Sequence, residues 1–294
     1  MKLKQAFFFI FIFTIFACQN SAQSSRVFEF EEPQEVKVKG YQGILMEPFL
    51  SRNGKILLFN NSNNPADNTN IHWATKIDDL TFQYQGEVDG INTQHLEGVP
   101  TLDKNNQLFF VSNRNYGETL STIFQGNFNA GKVENISLVK GVSKEKLLWI
   151  NFDVEVSEDG ETLYLVDSQF SPQIVPQIGD IFIAKRAGEK FERVKNSGEI
   201  FKNINTKAIE YAVAISADEL EIYFTRLIPP ITPTSIPEIF YATRNDKESS
   251  FDIPRKVPNI NGFVEAATIS ADNKLIYFHK KSGEKISLFC LRKK

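Results

Sequence analysis

The sequence is poor in cysteine, with two residues in 294. A small fold stapled by disulfides is thereby excluded, and the chain must stand on its apolar core. Histidine is almost as scarce: His72, His95 and His279 lie far apart. Neither the ligand spacing of a zinc site nor a nucleophile–histidine arrangement is visible, so no metal and no cofactor is expected. An excess of one charge is missing too, since 33 Lys+Arg face 36 Asp+Glu for a net charge of −3. Without a basic surplus the chain lacks the electrostatic footprint of a nucleic-acid binder. The apolar run Ala6–Phe16 falls short of the ~20 residues that a membrane-spanning helix needs. What remains is ordinary globular composition, 41% hydrophobic and 23% charged, on a length that can bury a large core.

The N-terminus carries its own pattern. Lys2 and Lys4 precede the apolar run, and the small Ala17 ends it before Cys18. A basic start, a short apolar run and a small residue before a break describe a secretory signal. The residues Ile15-Phe16-Ala17-Cys18 resemble the bacterial lipobox. That resemblance implies a lipoprotein signal peptide over residues 1–17, lipidation of Cys18, and export to the bacterial cell envelope. The protein would sit in the periplasm or at the outer membrane and touch the membrane through the lipid anchor only. A plain secretory signal cut near Ala17 or Ala22 is the alternative. Residues 18–26 contain the small polar stretch QNSAQSSR and read as a flexible tether. Residues 27–294 then form the folded domain, with Cys290 as its one thiol.

Within that domain a unit repeats. A strand-like run, a small polar turn and a second, aromatic-rich run recur at Pro48–Phe59, Pro100–Phe110, Asp153–Leu165, Ala212–Phe224 and Ala266–Phe278. The turns open at Ser51, Asp103, Ser157, Ser216 and Ser270, at steps of roughly 55 residues. Ser or Asp opens such a turn by bonding the backbone ahead of it, and Gly54, Asn106 and Gly160 suit a left-handed residue. Third and fourth strand-like runs follow in units one to four, whereas the chain stops after the third run of unit five. Four antiparallel strands per repeat make a propeller blade. The expected fold class is therefore all-β: a single closed β-propeller of five four-stranded blades. An N-terminal strand at Glu35–Lys39 would complete the last blade and remove the open edge.

The segments SEDGETLYLVDS (157–168) and SADNKLIYFHKK (270–281) resemble the TolB-like, WD-repeat-like propeller units of bacterial envelope proteins. The resemblance spans five units, roughly residues 41 to 292, and implies the propeller fold while saying little about activity. The pattern lacks the usual Pro after the turn Ser, and units four and five lose the Gly. Residues 157–164 are one residue short of the sialidase Asp-box, so that motif is rejected.

Acids precede the first strand or lie near its start in every unit: Glu47, Glu97, Asp153, Glu210 and Glu265. Arg114, Arg226, His279 and Lys280 follow the second strand and should reach the same face. Such a rim can hold a polar ligand, with Arg forks reading carboxylates. The bland alternative is that Glu97–Arg114 and Glu210–Arg226 are structural ion pairs. Alternation places Glu47, Glu97, Asp153 and Glu210 on one side of their strands and Glu265 on the other, unless a bulge intervenes. Two Pro-rich loops on this face carry Phe170, Ile174, Leu227, Ile228 and Ile231, which could meet a partner or pack on each other. The expected function is a non-catalytic envelope propeller binding a glycan, a peptide or an envelope protein at one rim of its channel. The alternatives are a carbohydrate-active hydrolase or lyase using Glu97, Asp153 and Glu210, and a structural assembly subunit.

Overall fold

The computed structural model describes residues 25–64, 67–232 and 234–294. The signal segment, Cys18 and most of the tether lie outside the described residues. The described chain is almost wholly β. Unit one comprises Met46–Leu50, Ile56–Asn60, Ile71–Asp78 and Thr81–Glu87. Unit two comprises Glu97–Leu102, Gln107–Ser112, Ile123–Asn129 and Lys132–Leu138. Unit three comprises Trp149–Val156, Thr162–Phe170, Pro176–Ala187 and Lys190–Arg193, and unit four Ile209–Ile215, Glu221–Leu227, Glu238–Thr243 and Arg255–Lys256. Unit five has Val264–Ile269, Leu275–Ser282 and Lys285–Arg292. Each unit is an antiparallel meander, and a single parallel contact, Gly179 to Ile209, joins units three and four into one sheet. No helix among the described residues is long and apolar enough to cross a membrane.

The turn chemistry explains why this sequence makes hairpins. In four units the turn Ser accepts the amide N–H five residues on at 2.9 Å and donates to the Asn or Asp two residues on. In unit two Asp103 alone does this work, accepting from Asn105 and Gln107 at 2.8 Å. The residue three past the opener is left-handed in every unit: Gly54, Asn106, Gly160, Glu219 and Asn273. Glu219 is the outlier of this set, and its carboxylate compensates by accepting from Tyr164 Oη at 2.7 Å and from Lys247.

Five apolar clusters form the core, and each joins neighbouring units. One of them joins Leu57, Phe59 and Phe82 of unit one to Leu275, Tyr277 and Cys290 of unit five. Burial there pushes the Cys290 thiol up to about 11, so it is a packing residue rather than a nucleophile. The first strands contact one another in order, one to two, two to three, three to four and four to five, and that of unit five also contacts that of unit one.

The N-terminal segment departs from expectation. Its pairing with the last blade lies earlier than Glu35–Lys39: Phe30 bridges to Lys293, the Glu31 N–H bonds the Arg292 carbonyl, and Gln34–Glu35 pair with Cys290 and Phe289. Lys37–Lys39 instead runs parallel to Thr81–Glu87 of unit one. The switch occurs at Val36, whose N–H still bonds Leu288 while the N–H of Lys37 bonds Leu80. The segment therefore ties the last unit to the first. Ser25 and Arg26, assigned to the tether above, are bonded to Thr243 and Arg255. Phe30 is 3% exposed and sits edge-on to Tyr241. Phe30→Ala is expected to lower stability by about 3–5 kcal/mol in urea unfolding. Val27→Ala, at a position 71% exposed, should stay within about 0.5 kcal/mol of the parent.

Candidate functional site

The axis is built by the first strands. The pairing register of each breaks, between Met46 and Phe49, Gly98 and Thr101, Asn151 and Val154, Tyr211 and Ala214, and Glu265 and Thr268. These are β-bulges, which re-aim side chains. Glu47, Val99, Ala212 and Ala266 occupy them with positive φ. The bulges turn Glu47, Val99, Asp153, Ala212 and Ala266 toward a common cavity of about 20 Å3, room for about one water.

One end of this axis is plugged. Arg52, beside the first turn, reaches across to donate to Glu155 Oε1 at 2.6 Å and to the Ile215 carbonyl at 3.3 Å. Thr101 Oγ1 donates to the other oxygen of Glu155 at 2.7 Å. Burial drives the Glu155 carboxyl upward, against the pull of Arg52.

Toward the other end the acids gather. Glu47, Asp153, Glu265 and His279 are all buried. Asn63 Nδ2 donates to Glu47 Oε1 at 2.6 Å, and the Ala212 amide donates to Asp153 Oδ2 at 2.7 Å. His279 Nε2 stands 3.0 Å from Glu265 Oε2, and Tyr211 Oη donates to Glu265 Oε1. Desolvation raises the pKa of Glu47, with the Glu265 charge acting in the same direction and His279 opposing it. Asp153 is raised further, by burial first and by the Glu47 charge next. Burial and Glu265 together push Tyr211 far up. For His279 burial acts downward, but the Glu265 carboxylate outweighs it and the net direction is up. The site thus keeps Glu47 and Asp153 inclined to hold protons, while both oxygens of Glu265 accept hydrogen bonds.

One oxygen each of Glu47 and Glu265 and one nitrogen of His279 lie within 4.8 Å of one another, a spacing that can suit a metal. The hydrogen bonds favour a proton instead. His279 Nδ1 accepts the Glu47 amide N–H at 3.3 Å, which puts the proton of the neutral ring on Nε2, facing Glu265. A metal on Nε2 would have to displace that proton and break the amide contact.

The other expected site residues go elsewhere. Glu97 is fully buried and accepts from Thr93 N and Oγ1 at 2.8 and 2.9 Å, from Ser112 at 2.9 Å and from Arg114 at 3.1 Å. Glu210 repeats this with Thr206 and with Arg226 Nε at 2.7 Å. Just before each, Asn92 and Asn205 bond both backbone groups of Ile71 and Ile181 in the preceding unit. The matching Ile-Asn-Thr…Glu stretches are thus the same latch used twice between units. Arg114 lies over the Phe110 and Phe124 rings, and Arg226 over Phe224 and Phe240. The expectation that Glu97 and Glu210 share a face with Glu47 and Asp153 is corrected by the bulges, which separate them. Glu97→Ala is expected to lower stability by about 3 kcal/mol through the stranded Arg114, with no direct effect on the axial acids. A denaturant titration alongside the Glu47→Gln variant separates the two roles.

Lys280 stays at the rim, 5.6 Å from the Phe289 ring centroid. Phe170 packs edge-on against Phe152, next to Asp153. Leu227 and Ile231 pack on the core of units three and four. Ile174 and Ile228 are 51% and 72% exposed. Sequence reasoning missed Arg52, Glu155, Tyr211 and Asn63 as site residues. It named Glu265 but placed it off the shared face. The signal for Glu265 was the bulge, which no residue type announces.

No family model and no curated protein sequence matches the chain. Solved structures do. A protein described as a glycoside hydrolase superposes with a TM-score of 0.57 at 11% identity over 90% of this chain and 91% of its own. The family 117 glycoside hydrolase Zg3597 of the marine bacterium Zobellia galactanivorans gives 0.55 at 11% identity, covering 90% of each chain. The α-L-arabinofuranosidase PaAbf62A of Podospora anserina, solved with cellotriose, gives 0.54 at 12% identity over 92% of this chain and 97% of its own. At these identities the likeness defines the fold, an all-β protein of propeller type. A TolB from Acinetobacter baumannii also matches, with a TM-score of 0.42 over 53% of its length. With no family model and no curated sequence behind it, the TolB-like lipoprotein resemblance is reduced to the propeller-type fold. The expectation of a non-catalytic binder is corrected as well. The neighbours that superpose well include proteins described as glycoside hydrolases, and the axis gathers buried acids, of which Glu47 and Asp153 are raised first by desolvation.

Proposed function

We propose that the chain is a carbohydrate-active hydrolase on a closed five-bladed propeller, with its chemistry at the axial acids. The observation that carries this reading is the gathering of Glu47, Asp153 and Glu265 around His279 and Tyr211. Glycoside hydrolysis needs one carboxyl that gives a proton to the leaving oxygen and another that accepts one. A carboxyl inclined to keep its proton, beside a carboxylate that already accepts hydrogen bonds, can take those two roles. Asp153, raised by burial and by Glu47, is the donor in this proposal. Glu265, held by two donors, is the acceptor. The cavity of about 20 Å3 suits a water and not a sugar ring, so the glycan lies at the mouth of the axis. Closure of the five units is supported by the contact between the first strands of units five and one and by the core cluster they share.

The test is release of reducing ends from a panel of neutral and acidic polysaccharides by the purified protein. Release that disappears in Asp153→Asn and Glu265→Gln, both still folded, is the expected result. A broad panel left intact by the folded parent would overturn the proposal. Export with lipidation at Cys18 is proposed on the N-terminal residues alone. Mass spectrometry of the envelope-associated protein should find a diacylglyceryl group that Cys18→Ser removes.

A further inference from the structure

A second cavity lies where the N-terminal segment crosses from unit five to unit one. It has a volume of about 400 Å3, within the usual range for ligand pockets. Its walls are the crossing segment from Glu35 to Leu45 and the start of the last strand at Lys285 to Leu288. Leu288 pairs with His279, so the cleft is level with the axial acids on the outer part of the same sheet.

Its charge is one-sided. Lys37, Lys39 and Lys285 line it against one acid, Glu35. Glu35 is already taken by Lys285, at 2.7 Å. Lys37 and Lys39 flank Val38 on an exposed strand, so both point to the same side. Neither ammonium has a carboxylate partner among the described residues. One wall is aromatic and fixed. The Tyr41 ring stands 5.0 Å from each of Phe59 and Tyr84, and its hydroxyl donates to the Ile44 carbonyl at 2.8 Å. A side chain at Gly43 would come within 2.6 Å of that hydroxyl, so the glycine keeps the ring in place.

We propose that this cleft binds an anionic stretch of glycan, a sugar bearing carboxylate or sulfate groups. Paired, otherwise unpartnered ammonium groups attract the anion, and a rigid ring beside exposed backbone offers a sugar both a flat face and hydrogen bonds. The choice of a sugar rests on the carbohydrate reading above; the anion preference rests on the lysines. Binding here does not require turnover at the axis.

Calorimetric titration of the full protein tests it, with oligogalacturonate, a sulfated oligosaccharide, a neutral xylo-oligosaccharide of equal length and a polyglutamate peptide as probes. One or both acidic sugars should bind, and the comparison between them identifies carboxylate or sulfate as the recognised group. Lys37→Glu with Lys39→Glu should weaken that binding by on the order of tenfold or more, and added salt should weaken it in the parent. Lys37→Gln with Lys39→Gln should weaken it less, and serves if charge reversal disturbs folding. The same titrations in Asp153→Asn, which lacks the proton to give at the axis, read binding without turnover, and dependence on Lys37 and Lys39 assigns that binding to the cleft. Equal binding of the neutral sugar or of polyglutamate, no binding of either acidic sugar, or indifference to both lysine pairs would overturn the proposal.

Discussion

Glu265→Gln is expected to lower glycan turnover by about 10³-fold while leaving the fold intact, the size of effect that a positioned acid or base supplies. The glutamine can still accept from Tyr211, but its amide end cannot take up a proton, and it meets the Nε2–H of His279 donor against donor. Asp153→Asn should fall by a similar factor for the opposite reason, the loss of a proton to give. The two variants should differ in stability. Asp153 holds its proton more tightly folded than unfolded, because burial and the Glu47 charge raise its pKa. Such a group favours the folded state below its unfolded pKa, and that advantage is lost as pH rises through the folded value. The parent should therefore melt lower at about pH 8 than at about pH 5, and Asp153→Asn should flatten the slope. Melting curves of parent and variant across that window check the sign. A parent that gains stability toward high pH would contradict the buried-acid picture.

Arg52→Ala should lower stability by about 3–5 kcal/mol. The guanidinium is 6% exposed and its partner Glu155 is 5% exposed, so removing one charge strands the other. Arg52 also bonds the Ile215 carbonyl, so one side chain of unit one holds unit three and unit four on the axis. The apparent melting point should drop by on the order of 10 °C. Replacing both partners, Arg52→Met with Glu155→Leu, should recover much of the loss, because no charge is then left without a partner. A single variant that melts like the parent would mean that solvent reaches Glu155.

Most of the fold was legible because it rests on local chemistry. The Ser and Asp turn openers act within five residues, so the hairpins and their repeat could be read directly. The site was legible only in part, because it rests on geometry between units. Glu47 and Asp153 were found by their position before the turns. Glu97 and Glu210 looked equivalent to them, and nothing in residue type separates a latch acid from an axial one. Their Thr partners four residues earlier were visible in the sequence and belong to the latch. Bulges shift side chains by a single position, and four of the five carry non-glycine residues at positive φ, which sequence preferences do not flag. Arg52 was missed because its partners lie more than a hundred residues away.

The bulge gives the repeat an exchangeable slot. The frame of each unit, its turn and core, is set by residues that do not face the axis. The slot residue is free of those duties, and the five units fill it with Glu47, Val99, Asp153, Ala212 and Ala266. The axis is in effect a word of five letters written on a fixed page. Changing a letter alters the chemistry offered at the centre and leaves the page standing. Two small letters, Ala212 and Ala266, sit beside the two acids, so new function in this architecture can enter by single substitutions at the slots that now hold only a methyl group.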